Sequence, residues 1–425
     1  MDSSAINQKH NEYLFPCVTN YYSTPLPIKR GEGLYVYDWD GKKYLDFFGG
    51  ILTVSIGHCQ PEIIKEVVDQ IQVLQHTSTL YPNYPMVMLA EKLSQVTPGN
   101  LKKCFFTNSG TEANETAITT SQLHTGVREI IALRHSYHGR STLAMNLTGH
   151  AAWKAAGNNI PGITHALSPY CFRCPLGATY PACGIGCAED IEELIKTTTS
   201  GRIAAFIAEP IQGVGGFITP PKEYFQIAVG IVRKYGGLFI SDEVQTGFGR
   251  TGGKWFGIEH WGVEPDIMTF AKGLANGAPI GATIATPEVA DSFKVHSIST
   301  FGGNPVSMRA GVATLEYIEE HDLPNHVEKV GNYFKEKLLE LKDKYSLIGE
   351  VRGKGLMLGI ELVREKKEPA VSEILKLFEN TKKRGLLIGK GGLYGNVVRI
   401  APPMTVDRSQ IEEAIRILNQ SFAEI

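Results

Sequence analysis

An acid and an amine, Asp242 and Lys272, stand just past two short apolar runs in the stretch GLFISDEVQTGFGRTGGKWFGIEHWGVEPDIMTFAKG, Gly237 to Gly273. The runs are Leu238 to Ile240 and Ile267 to Phe270. A lysine amine beside an apolar wall can give up its proton and attack a carbonyl to form a Schiff base. The characteristic cofactor for that chemistry is pyridoxal phosphate, whose ring nitrogen takes an aspartate partner. Taken singly, a capped turn and a solvated strand end would account for the two residues as well.

Apolar runs bounded by glycine, proline or acids read as buried strands of a parallel sheet. Ligands of such sheets collect outside the carboxyl ends of the strands, so groups placed just past those ends can face one pocket. A third run, Ile203 to Ala208, ends in Glu209-Pro210 and Gly213-Val214-Gly215-Gly216. Between it and the central stretch, Tyr224 to Tyr235 has helical spacing and stops at Gly236-Gly237. Three strands thus each end near one charged group, which is a stronger signal than any one of them.

Upstream, Cys104 to Thr107 reads as a strand running into Asn108-Ser109-Gly110-Thr111-Glu112, with a helix from Ala113 to His124. Ser109 and Glu112 have capping-box spacing. A glycine-bearing turn at a helix N-terminus offers backbone N–H groups and the positive end of a dipole, which suits a phosphate. Many capped helices bind nothing. Ile130 to Leu133 is a further strand, followed by His135-Ser136-Tyr137-His138-Gly139, where Tyr137 could stack on a flat cofactor or simply fill the core.

Composition narrows the class. At 425 residues with 43% hydrophobic content the chain can hold two domains, since roughly 100 to 200 residues make one. Its net charge of −2 argues against a nucleic-acid surface. No apolar run approaches the roughly 18 residues of a membrane span. The start, MDSSAINQKHNEYLF, lacks the marks of a signal or transit peptide, so the expected location is cytoplasmic. An odd seven cysteines fits reduced thiols.

Elsewhere, Asp40-Gly41 between Leu34 to Trp39 and Lys43 to Phe48 is a hairpin signal that delivers Phe48-Gly49-Gly50-Ile51. Helices are expected from Pro61, with Ile63, Ile64, Val67, Val68 and Ile71 at helical spacing, and from about Met86 to Leu93. Residues 151 to 190 read as a loop-rich segment. Its Cys171-x-x-Cys174 and Cys183-x-x-x-Cys187 suit either a zinc ligand set or a packed loop of reduced thiols. After His296 to Pro305 a helix from Val306 to about Glu320 leaves the large domain. Residues 325 to 425 alternate helices and short strands in an α+β cap. The expected division is 1–60, joining the small domain, 61–305, a large mostly parallel-sheet domain, and 306–425, a smaller α+β domain.

With these residues in hand, the sequence resembles the class III aminotransferases, pyridoxal phosphate enzymes of fold type I. The resemblance runs from about Tyr21 to the end. It rests on SDEVQTGFGRTG (Ser241 to Gly252), PDIMTFAKGLANGAPIGA (Pro265 to Ala282), NSGTEANETA (Asn108 to Ala117) and STFGGNP (Ser299 to Pro305). It implies that Lys272 holds the cofactor and moves a proton, that Asp242 pairs with the ring nitrogen, and that Gln245 reaches the ring hydroxyl. Ser109, Gly110 and Thr111 resemble the phosphate cup and Tyr137 the stacking aromatic, with His138 and Val244 also at the cofactor. Thr300 would reach the phosphate bound by a neighbouring subunit, which implies a homodimer with shared sites. Arg399 looks like the clamp for a substrate carboxylate, with Tyr22 and Gly50 nearby. Glu209 resembles a gate that pairs with an arginine in one half-reaction and frees it in the other. FFGGI (Phe47 to Ile51) and Cys171 to Asp190 are most similar to the alanine–glyoxylate and β-alanine branch; within it the cysteines mark the branch and no metal is expected. The implied reaction moves an amino group from alanine, β-alanine or another omega-amino acid to pyruvate, glyoxylate or 2-oxoglutarate. A lyase, an aminomutase or a 4-aminobutyrate-type aminotransferase is the alternative on the same scaffold. A nicotinamide dehydrogenase is disfavoured, because no strand opens into G-x-G-x-x-G with an acid about 20 residues on.

Overall fold

The computed structural model describes residues 2–18, 20–155 and 159–425. Fifteen strands form three sheets among them. In chain order they are β1 (Ile28–Glu32), β2 (Tyr35–Asp38), β3 (Lys43–Asp46), β4 (Lys103–Thr107), β5 (Ile130–Leu133), β6 (Ile163–Ala166), β7 (Ala205–Ala208), β8 (Leu238–Asp242), β9 (Ile267–Phe270), β10 (Gly281–Ala285), β11 (Ile348–Lys354), β12 (Met357–Leu362), β13 (Leu386–Leu387), β14 (Gly389–Gly391) and β15 (Val397–Ile400).

The seven-stranded sheet has the order β4-β10-β9-β8-β7-β5-β6. Pairings from β6 through β9 are all parallel, and β10 runs antiparallel to both β9 and β4. β5, β7 and β9 are buried along their whole length, as strands covered by helices on both faces must be. Because the central strands are parallel, their carboxyl ends open on one edge. Asp242 closes β8, Glu209 follows β7 directly, and Lys272 lies two residues past β9.

The hairpin around Asp40-Gly41 forms as its turn residues imply, with Tyr35 opposite Leu45. β13 then adds to β3 in parallel, placing Leu386 beside Leu45. One small sheet therefore joins the N-terminal segment to the C-terminal one. The other small sheet, β11-β12-β15-β14, carries Arg399 on β15 opposite Gly359 of β12.

Three local expectations differ from the structure. Residues 151–190 are less loop-rich than their composition suggests: they contain β6, and the helix Gly186–Thr198 starts inside them. β6 reads weakly because it is a short edge strand with a half-buried ITHA pattern. The capping box at Ser109 is only half present. Ser109 Oγ accepts from the Glu112 N–H at 3.3 Å, whereas the Glu112 carboxylate accepts from the Asn108 N–H at 3.1 Å and not from that of Ser109. The helix at Pro61–Val73 forms, but of its apolar positions Ile63 is buried while Ile64, Val68 and Ile71 are exposed.

Candidate active site

Strand ends and one helix N-terminus converge on a cavity of about 340 Å3. Ser109, Gly110, Thr111, Tyr137, His138, Glu209, Asp242, Val244, Gln245 and Lys272 all line it. The sequence places these residues on separate segments, and the sheet brings them together.

Lys272 sits where the chain turns abruptly out of β9. Its φ of 45° is in the left-handed region, which is uncommon for a residue with a side chain. Burial, the largest effect, lowers its pKa below the ordinary lysine value; Arg399 acts in the same direction, and the carboxylates of Asp242 and Glu209 oppose it. The amine is thus biased toward its neutral, nucleophilic form.

Asp242 is 3% exposed. Its Oδ2 accepts from Asn114 Nδ2 at 2.8 Å and lies 2.7 Å from His138 Nδ1, and its Oδ1 accepts from the Val244 N–H at 3.1 Å. Asn114 is itself held: its amide also donates to the His138 carbonyl, and its oxygen accepts from Thr269 Oγ1 at 2.7 Å. A carboxylate fixed by that many partners faces the cavity in one orientation.

Glu209 accepts from the N–H groups of Tyr137 (2.9 Å) and Gly213 (2.8 Å). Burial pushes its carboxyl above the usual range, and the neighbouring Asp242 adds to that. The Tyr137 ring meets Trp153 edge-on at 5.5 Å. Gly110 opens the helix Gly110–Thr125 directly against Val244, so a Cβ there would approach the two Val244 methyls at 3.0 and 3.1 Å. The first N–H groups of a helix have no intrahelical partner, and here they open toward the cavity. An anion-binding turn, a fixed carboxylate and a lysine of lowered pKa are what pyridoxal phosphate requires, so these residues fit that group.

Arg399 is 3% exposed and does not line the cavity directly. Its Nη2 donates to Gln245 Oε1 at 2.7 Å, and its guanidinium lies over the rings of Phe48 and Phe217. Burial lowers its pKa to about 10, which leaves it charged at neutral pH. No ion pair joins it to Glu209 among the described residues. Three further expected residues lie outside the lining. Tyr22 packs on Phe378, Gly50 occupies a turn with φ of 60° beside Thr53, and Thr300 is exposed on its loop. Of the two adjacent tyrosines, Tyr21 is the one that packs against Phe48, the ring under Arg399.

The sequence reading missed Asn114 and Arg140, which also line the cavity. Asn114 lies one helical turn after Gly110, on the same face, and that i, i+4 relation was available as a signal. Arg140 gave none. Cys171, Cys174, Cys183 and Cys187 surround a separate cavity of about 20 Å3. All four thiols are free, and among the described residues no three His, Cys, Asp or Glu side chains converge as a metal site.

This arrangement, a fold-type I sheet with an acid and a lysine facing one cavity, defines a pyridoxal-phosphate-dependent enzyme. The profile named "Aminotransferase class-III" matches residues 18–422, and the chain belongs to that family. It is 44% identical to alanine–glyoxylate aminotransferase 2 homolog 2, mitochondrial, of Arabidopsis thaliana over 100% of this chain and 88% of that protein. It is 36% identical to the leucine/methionine racemase of Thermococcus litoralis over 97% and 94%. Among solved structures, a Bacillus anthracis aminotransferase superposes with a TM-score of 0.94 at 32% identity, covering 100% of this chain and 99% of that one. An (S)-enantioselective omega-transaminase from Thermomicrobium roseum superposes at 0.92 with 34% identity, again over 100% and 99%. The protein is an aminotransferase that moves an amino group from a donor to a keto acid with pyridoxal phosphate as cofactor.

Proposed function

We propose that the chain transfers the amino group of alanine, β-alanine or another omega-amino acid to pyruvate, glyoxylate or 2-oxoglutarate. The observation that carries this reading is Arg399: a buried guanidinium, 2.7 Å from a residue that lines the cavity, with its Nε lacking a protein partner. The names of the relatives support alanine and glyoxylate in particular.

Pyridoxal phosphate, when bound, supplies the electron sink that stabilises negative charge on the substrate carbon. Asp242, oriented by Asn114 and His138, presents a fixed negative charge to the ring nitrogen. Lys272 gives the attacking amine and then carries the proton to and from that carbon. Gly110 and Thr111 offer N–H groups to the phosphate. Arg399 takes the substrate carboxylate through its two-pronged guanidinium, and Gln245 holds it meanwhile.

The exposed apolar side chains Ile64, Val68 and Ile71 on one helix and Tyr84 and Val87 on the next, together with Thr300 on an exposed loop, support a homodimer with shared sites. Seven free cysteines support a reducing compartment, the cytoplasm in this reading; the Arabidopsis thaliana and Homo sapiens alanine–glyoxylate aminotransferase 2 relatives bear mitochondrial names. Sedimentation tests the first statement and cell fractionation the second.

Arg399→Ala is expected to weaken pyruvate and glyoxylate on the order of a hundredfold or more, since each charge-assisted bond contributes roughly 1.5 to 3 kcal/mol. Unchanged acceptor kinetics would overturn the assignment. A second reading, racemisation of one amino acid, is favoured by the Thermococcus litoralis relative. Incubating one enantiomer without any keto acid separates the two: transamination stops after one half-reaction, whereas a racemase continues to a mixture.

A further inference from the structure

Arg250 is 2% exposed, and no carboxylate pairs with it among the described residues. Its Nη1 donates to two backbone carbonyls, those of Pro402 and, at 3.4 Å, Leu356; its Nη2 is buried without a partner. Burial alone lowers its pKa, to about 9, with no neighbouring acid to hold it up. An uncompensated buried cation is costly, and a well-packed apolar side chain is often the more stable filling. What the guanidinium offers instead is a directional hold on two chain segments at once.

Those segments are specific. Leu356 precedes β12 and Pro402 follows β15, so the two carbonyls lie at adjacent ends of paired strands. Leu358 faces Ile400 there, and the next pair is Gly359 with Arg399. The chain also returns the contact, since the Leu356 N–H donates to the Arg250 carbonyl at 3.1 Å. Five residues earlier on the same loop, Gln245 receives the Arg399 side chain at 2.7 Å. At its head stands Asp242. The loop from Asp242 to Arg250 therefore ties the cofactor cavity to both the backbone and the side chain of the strand that carries Arg399.

We propose that Arg250 is a positioning residue for carboxylate recognition: it clamps the β12–β15 end and so fixes where Arg399 meets the cavity. This rests on the proposed role of Arg399. Small misplacements of a clamp weaken the bound carboxylate without touching chemistry elsewhere. A purely structural role would instead affect every substrate alike.

The test uses holoenzyme with Arg250→Met and Arg250→Lys, and Arg399→Ala as control. Three measurements are made: equilibrium binding of propionate, which has a carboxylate but no amine or keto group; the half-reaction with alanine; and that with 2-aminopropane, in which methyl replaces alanine's carboxylate. Arg250→Met is expected to weaken propionate and raise the alanine KM about tenfold or more, with 2-aminopropane changed less than about twofold. Arg250→Lys should recover part of the loss, because one ammonium can still donate to Pro402. Should the Met variant not fold, Arg250→Gln, which keeps an N–H donor without the charge, is read by the same ratio. Equal losses on alanine and 2-aminopropane, or unchanged propionate binding, overturn the proposal. If Arg399→Ala itself fails to separate acid from amine, the assignment of Arg399 has failed; if only the Arg250 variants fail to do so, the positioning role has.

Discussion

At the scale of single residues, the proposed chemistry rests on the burial of Lys272 and on the contacts that hold Asp242. The amine is lowered by desolvation although two carboxylates oppose that effect, and the acid is locked by Asn114 and His138. Loaded enzyme should therefore be yellow, with an absorbance band that borohydride fixes to the protein. Lys272→Ala should abolish that fixation, and peptide mapping of the reduced wild type should find the label on Lys272. A label on another lysine would refute its role as nucleophile. Replacement by arginine would not serve, because that side chain stays protonated.

At the scale of elements, the helix Gly110–Thr125 and the loop after β8 meet at the edge of the cavity, where Gly110 lies directly against Val244. An alanine there would press on the Val244 methyls at 3.0 to 3.1 Å. Overpacking of this kind typically costs about 1 to 3 kcal/mol, so Gly110→Ala should weaken the cofactor on the order of tenfold. Adding Val244→Ala should restore most of the affinity, since the clash is with that residue. Equilibrium titration of apoenzyme with pyridoxal phosphate measures both. If the double variant binds no better than the single one, this reading of the contact between Gly110 and Val244 is wrong.

At the scale of the whole molecule, His135, His165 and His260 are each lowered from 6.5 to about 4, with burial the first cause in every case. Folding thus holds three rings neutral. The unfolded chain takes up protons near pH 6.5 that the folded chain refuses until about pH 4. The stability this contributes is full above the upper value and lost as pH falls toward the lower one. Burial raises Glu209 and Glu243 to about 7, and these two carboxyls titrate with the opposite sign in the same window; three rings outnumber them, so urea midpoints should still fall, with a reduced slope, between about pH 7 and pH 5. His165→Gln, which keeps a donor for the Leu147 carbonyl, should make that slope shallower. An unaltered slope would count against a buried neutral His165.

The order of strands and helices was legible because buried parallel strands announce themselves as short apolar runs, and the candidate reacting groups because each follows such a run: Glu209 after β7, Asp242 at the end of β8, Lys272 past β9. Ser109, Gly110 and Thr111 were legible as a helix entry for the same local reason. Local pattern cannot report what depends on two distant segments meeting. It did not indicate that β13 would join the N-terminal hairpin, that Arg399 would rest on Gln245 rather than pair with Glu209, or that Arg250 would lie buried between two carbonyls. It also gave no sign that Ile64, Val68 and Ile71 would remain uncovered by their own chain. The sequence by itself determined which residues could do the chemistry, since residue type and position at a strand end are local properties. Only the tertiary structure decided how they are aimed, because aim is fixed by hydrogen bonds and packing between segments more than a hundred residues apart, such as Asn114 with Asp242 and Gln245 with Arg399.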